Sequence, residues 1–264
     1  MRWGLAQGEY PSPEEFVEEA VKLVDEAEKE GITLRIMGAL AIFIHSPEYQ
    51  DLYLKFGRLG GKVFTDIDFM SLSKCRSKIP DFFTARGYTY NPMILRLHGK
   101  KRHIYYGKRI PMVDVFFDKL EMCHTIDFRN RLHLDKPTIP LADILLEKMQ
   151  IVEINEKDII DSIVLLRAHE LGDNDNNVVN VKYIAKLMSQ DWGFYYTTTM
   201  NLKKLKQFLP KYDVLTDEDK NDVASKIDTI LEAIEKEPKS MGWKMRAKIG
   251  PSKKWYRDVE EVLR

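Results

Sequence analysis

The sequence predicts an α+β chain: a sheet flanked by helices over residues 1–139, followed by an all-helical part over 140–264. Three observations predict it. Short runs of β-forming residues alternate with helical spacing in the first half. From Pro140 onward only the helical period remains. No internal repeat with a fixed period is present, which excludes a solenoid or propeller. Together they describe an α+β layout with a helical appendage.

Composition excludes several classes. At 264 residues the chain has room for one large domain or two smaller ones. Hydrophobic content of 44% with 31% charged residues is ordinary for a soluble globular protein. The formal net charge of +0 provides no global field toward nucleic acid or membrane, so any anion site must come from local clustering. The longest apolar run, about Leu40–Ile44, is far too short to span a bilayer, and Met1-Arg2-Trp3-Gly4 lacks a secretory apolar region. Cys75 and Cys123 are too few for a disulfide framework, so a cytoplasmic protein with reduced thiols is expected.

The elements follow in order. Ser12-Pro13-Glu14-Glu15 forms a capping box, and Phe16, Ala20, Leu23, Val24 and Ala27 fall at helical spacing as far as about Lys29. Gly31 stops the helix, and Ile32–Met37 reads as a strand. Leu40–Ile44 suits a buried strand or a helix. Gly38-Ala39 directly after a strand favours a tight turn into a helix, whose free N–H groups would face an anion. His45-Ser46-Pro47 ends it, and Glu48–Leu54 can add a short helix. The basic loop from Gly57 to Lys62 does not fit a phosphate-binding P-loop. Lys74–Arg86 is helical, with Pro80 near its true start.

A β-rich stretch is expected next: Gly87–Tyr90, Met93–His98, His103–Tyr106 and Ile110–Phe117, with Leu132-His133-Leu134 as a last edge strand. Leu141, Ile144, Leu145, Met149 and Val152 then form one helical face with Lys148 on its flank. Further helices are expected over Lys157–His169, Asn180–Gln190, Asp191–Leu209 and Thr216–Glu237. The polar loop Gly172–Asn177 lacks the spacing of a calcium-binding EF-hand.

Chemistry concentrates at Thr65-Asp66-Ile67-Asp68-Phe69-Met70. In a strand, residues i and i+2 share a face, so Asp66 and Asp68 project together while Ile67 and Phe69 face a core. Aspartate is depleted in strands, and two adjacent carboxylates raise each other's pKa unless a cation lies between them. A hard divalent ion is the natural compensation. A third aspartate, Asp114, sits among β-formers in Val113-Asp114-Val115, with Phe116 and Asp118 on the same face. Lys100-Lys101-Arg102 and Lys108-Arg109 flank this hairpin, as a solvated loop or as charge for phosphates. The six histidines are scattered without zinc spacing, and no nucleophile elbow is present.

The ordered set Met37-Gly38-Ala39, Asp66-Ile67-Asp68 and Val113-Asp114-Val115 resembles the nucleotidyltransferase superfamily typified by DNA polymerase beta. Leu141–Gln150 and Lys157–Asp161 look like the branch of abortive-infection type E toxins and minimal nucleotidyltransferases. The resemblance spans roughly residues 31–170. It implies a mixed-sheet nucleotidyltransferase-like domain over 1–139 and a helical domain over 140–264. It also implies that Asp66 and Asp68 bind two divalent ions, Mg²⁺ or Mn²⁺, and that Asp114 completes the site of the ion that activates the attacking hydroxyl. Gly38-Ala39 would hold the triphosphate of a nucleoside triphosphate. Lys148 would contact the nucleotide or its phosphates, and Asp158 matches a further acidic position. Where the family commonly has serine or a second glycine, this chain has Ala39, which keeps the backbone N–H but lacks a hydroxyl.

Two ions about 4 Å apart can stabilise the entering and leaving oxygens of an in-line displacement, and Asp114 can accept the hydroxyl's proton. The expected activity is nucleotidyl transfer to a hydroxyl acceptor: RNA or tRNA, or a small molecule. The alternatives are a non-catalytic nucleotide- or partner-binding module, and a toxin-like component acting on tRNA under an antitoxin-like partner. Trp243–Lys248 and Lys253–Arg257 interleave aromatics with bases, suited either to stacking on RNA or to docking on the helical half.

Overall fold

The computed structural model describes residues 10–57 and 62–259. The interior of the expected basic loop, Met1-Arg2-Trp3-Gly4, and the acidic Glu260 and Glu261 lie outside the described residues. In chain order the elements are α1 (Pro13–Lys29), β1 (Leu34–Met37), α2 (Gly38–His45), α3 (Gln50–Lys55), β2 (Ile67–Ser71), α4 (Ile79–Thr84), α5 (Pro92–His98), β3 (Arg102–Tyr106), β4 (Met112–Phe117), β5 (Lys119–Glu121) and β6 (Thr125–Asp127). They continue as α6 (Leu141–Met149), α7 (Glu156–Ala168), β7 (Leu171–Gly172), β8 (Val179–Asn180), α8 (Val181–Met188), α9 (Trp192–Phe208), α10 (Asp217–Lys236) and α11 (Met241–Ile249).

The chain divides into two compact units. One holds the residues up to Ile44, the stretch carrying β2 to β4 as far as Lys119, and Asp127–Ile139. The other holds His45–Gly57, Leu120–Ile126 and the chain from Pro140. The second unit therefore draws in two segments that precede residue 139 in sequence.

The first unit is built on a four-stranded mixed sheet in the order β1-β2-β4-β3. β1 pairs antiparallel with β2, β2 parallel with β4, and β4 antiparallel with β3. Side chains alternate between the faces. Ile36, Ile67, Phe69, Val113, Val115 and Tyr105 share one face and are fully buried. Phe83 of α4 stacks on Tyr105 with ring centroids 4.3 Å apart. The apolar stripe of α1, opened by the Ser12/Glu15 capping box, packs beside β1.

Three expected strands are absent. Met93–His98 lies in the helix α5, because Asn91 caps it by accepting from the N–H groups of Met93 and Ile94, and Pro92 opens its first turn. Gly87–Tyr90 closes α4 instead. Gly87 adopts φ 81, and the Tyr88 N–H donates back to the Phe83 carbonyl, leaving only an isolated bridge from Thr89 to Tyr106. Leu132-His133-Leu134 is a turn, held by the Leu134 N–H on the Arg131 carbonyl. The free edge of β1 is instead covered by Pro137–Ile139. The Ile36 N–H donates to Pro137, and the Ile139 N–H donates to Ile36, each at 3.0 Å. This satisfies backbone groups an open edge would leave exposed.

The second unit is mainly helical, with the short parallel pair β7–β8 that the periodicity did not reveal. α6 was expected to bury one face, yet all nine of its residues are buried. Within it Asp143 accepts from the Tyr183 hydroxyl at 3.0 Å, and Lys148 forms an ion pair described below. The C-terminal aromatics dock on α9. Trp255 donates its indole N–H to Thr197 at 3.0 Å and packs edge-on against Tyr196, while Trp243 packs against Tyr195. Among the described residues, no helix is long and apolar enough to cross a membrane. Cys75 and Cys123 are buried and unbridged.

One buried histidine makes the first unit sensitive to acid. His103 bonds the Tyr105 hydroxyl and the Gly99 carbonyl, each at 2.9 Å. Burial pulls its pKa from 6.5 down to about 4. As pH falls from 6.5, the unfolded chain takes up a proton at this position while the folded chain does not, so stability declines down to about pH 4. Urea unfolding of the wild type should therefore lose more stability between pH 7 and pH 5 than that of His103→Gln; equal losses would contradict this.

Candidate metal centre

Asp68 lies within β2, and the parallel register sets it directly opposite Asp114 of β4. Adjacent parallel strands point in-register residues to the same face. Asp66, two residues earlier, reaches that face as the chain enters β2. One oxygen from each of the three carboxylates lies within 4.8 Å of the others. Among the described residues this is the one group of three His, Cys, Asp or Glu side chains drawn together in this way. Asp114 is fully buried, while Asp66 and Asp68 are half-buried, so the cluster opens on one side.

The turn at Gly38 closes one flank. Gly38 adopts φ +71, a left-handed conformation that side chains resist, and a Cβ here would stand 3.0 Å from Asp68 Oδ2. Glycine is thus required by both the backbone and the neighbouring carboxylate. It brings the N-terminus of α2, continuing through Ala39, beside the cluster. On the approach to β2, the Thr65 hydroxyl donates to Asp66 Oδ1 at 3.0 Å. Tyr10 donates its hydroxyl to the Phe64 carbonyl at 2.8 Å, and its pKa is raised by burial and by the charge of Asp66.

On the other flank stands a residue that in the sequence is only part of a basic run. Arg102 of β3 donates Nε to Asp114 Oδ1 at 3.2 Å and one terminal nitrogen to Oδ2 at 2.5 Å. Its direct cross-strand partner is Phe116, over whose ring the guanidinium lies at 5.1 Å from the centroid. Asp114 is two positions away on the same face, a diagonal reach within the length of an arginine. Asp118, expected on that face, leaves the strand with φ 60, and its Oδ1 accepts the Ser73 N–H at 2.9 Å.

The donor set fits a hard cation. Three carboxylate oxygens, with no sulfur or imidazole among them, suit Mg²⁺ or Mn²⁺ rather than a softer metal. The wider basic loop disperses: Arg109 ion-pairs with Glu15.

Lys148 and Asp158 meet each other on α6 and α7. Lys148 Nζ lies 3.1 Å from Asp158 Oδ1 and 3.0 Å from Asp161 Oδ2. Asp161 is fully buried and also accepts the Tyr53 hydroxyl at 2.7 Å. Asp161 has no role in the sequence pattern alone. Its position three residues after Asp158, on one helical face, was the available signal.

No protein-family model matches the chain, and no curated protein sequence matches it. Among solved structures, it is similar to the solution structure of the antibiotic-resistance factor ANT(2'')-Ia, with 13% sequence identity and a TM-score of 0.38, covering 67% of this chain and 96% of that one.

Replacing Lys148 by methionine leaves the buried Asp161 without its cationic partner. Such a loss typically costs about 3 kcal/mol. Urea unfolding of Lys148→Met should show a loss of that order, and a change within experimental error would contradict the ion pair's role.

Proposed function

We propose that this chain transfers a nucleotidyl group from a nucleoside triphosphate to a hydroxyl acceptor and releases pyrophosphate. One observation carries the reading: three carboxylates converge beside a glycine turn at the start of a helix. In this reading Asp66 and Asp68 hold two divalent ions, Mg²⁺ or Mn²⁺, and Asp114 completes the site of one. When bound, such ions neutralise charge on the entering and leaving oxygens.

The residues then have distinct tasks. The backbone at Gly38 and Ala39 offers N–H groups to the triphosphate, favoured by the positive end of α2. The acceptor oxygen bonds to the α-phosphorus as the bond to pyrophosphate breaks. The hydroxyl proton passes to Asp114 Oδ1, the oxygen held by Arg102 at the longer distance. Lys148, accompanied by Asp158, is assigned by the family resemblance to the nucleotide's phosphates. The lack of a hydroxyl at Ala39 leaves backbone groups as the anion contact at the turn. The branch resemblance makes RNA, and tRNA in particular, the first acceptor to test.

The test is to incubate the protein with each labelled nucleoside triphosphate, Mg²⁺ and a cell extract, then separate RNA, protein and small molecules. The wild type should label one fraction. A folded Asp66→Asn/Asp68→Asn double variant should lose at least about a hundredfold of that transfer. Undiminished transfer in the variant would remove these residues from the chemistry. A wild type that binds labelled nucleotide and transfers none would be a binding module.

A further inference from the structure

The pairing of Arg102 with Asp114 goes beyond the assignment of three carboxylates as ligands. Three aspartates within 4.8 Å bring three negative charges to one face of a sheet. Asp114, fully buried, cannot be left uncompensated in a low-dielectric setting. Its compensation is built into the fold. Arg102 is largely buried at 12% side-chain exposure, lies against Phe116, and engages both oxygens of Asp114. Those are the oxygens a metal ion would need. The guanidinium is also a permanent charge that cannot be shed by deprotonation.

We propose that Arg102 is a resident counter-cation of Asp114, and that a divalent ion must compete with it for that carboxylate. The inference rests on the reading of Asp66, Asp68 and Asp114 as a cation site. Arg102 is a positioning residue: it orients Asp114 and holds down the cluster's affinity for divalent cations.

The direction of the predicted effect separates this role from a structural one. Losing a residue that merely supports the fold weakens metal binding or leaves it unchanged. Losing a competing cation strengthens it. Mn²⁺ binding to the nucleotide-free protein, followed by electron paramagnetic resonance of the free ion, is the readout. Arg102→Met should bind Mn²⁺ at least about tenfold more tightly than wild type, given unit charges a few ångströms apart. Arg102→Lys, which keeps the charge, should stay closer to wild type than to Arg102→Met. Affinity that is unchanged or weaker in a folded Arg102→Met overturns the proposal.

Should that variant not fold, the wild type still decides. The Arg102 Nε–H resonance should shift as Mg²⁺ saturates the protein, because Asp114 loosens its hold on the guanidinium; an unmoved resonance overturns the proposal. Wild-type Mn²⁺ binding that persists in Asp66→Asn/Asp68→Asn would overturn the cation site itself along with the role of Arg102. Binding that depends on Asp66 and Asp68 but not on Arg102 removes the latter alone.

Discussion

The parallel pairing of β2 with β4 is the constraint from which the rest of the site follows. It sets Asp68 opposite Asp114 in register, and the two-residue period of the strand then adds Asp66 on the same side. Like charges at this separation oppose folding, so every other feature of this face can be understood as a response to them. Gly38 removes a side chain that would collide with Asp68, and Arg102 crosses from β3 to neutralise the deepest carboxylate. Core packing on the opposite face, through Phe69, Val113, Val115 and Tyr105, holds the register against this repulsion.

Buried charge is handled in the same way in the helical unit, with a different geometry. Lys148 is shared by Asp158 and Asp161 across α6 and α7, and the Tyr53 hydroxyl completes the hydrogen bonding of Asp161. Such networks add little net stability over well-packed apolar residues, but breaking one partner is costly. Their presence on a helix buried all round is a reason to look there for ligand contacts, since buried ionisable groups gather at functional sites.

Local physics made part of this legible from sequence. The capping box at Ser12, the same-face placement of Asp66 and Asp68, and the helix following Gly38 all depend on residues close in the chain. The meeting of Asp114 with that pair depends on a strand pairing across more than forty intervening positions. No periodicity encodes it, and family resemblance supplied the expectation. Arg102 was hidden for the same reason. Its partner is set by which strand lies beside β3, and in the sequence it closes the short basic run Lys100-Lys101-Arg102, which reads as solvated surface. Met93–His98 shows apolar content that suits a strand, but Asn91-Pro92 ahead of it is a helix start, and that signal should have outweighed the content. Leu132-His133-Leu134 alternates as an edge strand would, whereas Pro137–Ile139 covers the edge of β1.

The central claim is that one cation-binding face exists where residues 38, 66, 68 and 114 meet. Paramagnetic broadening by substoichiometric Mn²⁺ in amide correlation spectra tests it most directly. The account predicts that the signals of Gly38, Asp66 to Asp68 and Val113 to Val115 are lost first. Broadening centred elsewhere in the chain, with these signals still sharp, would contradict it.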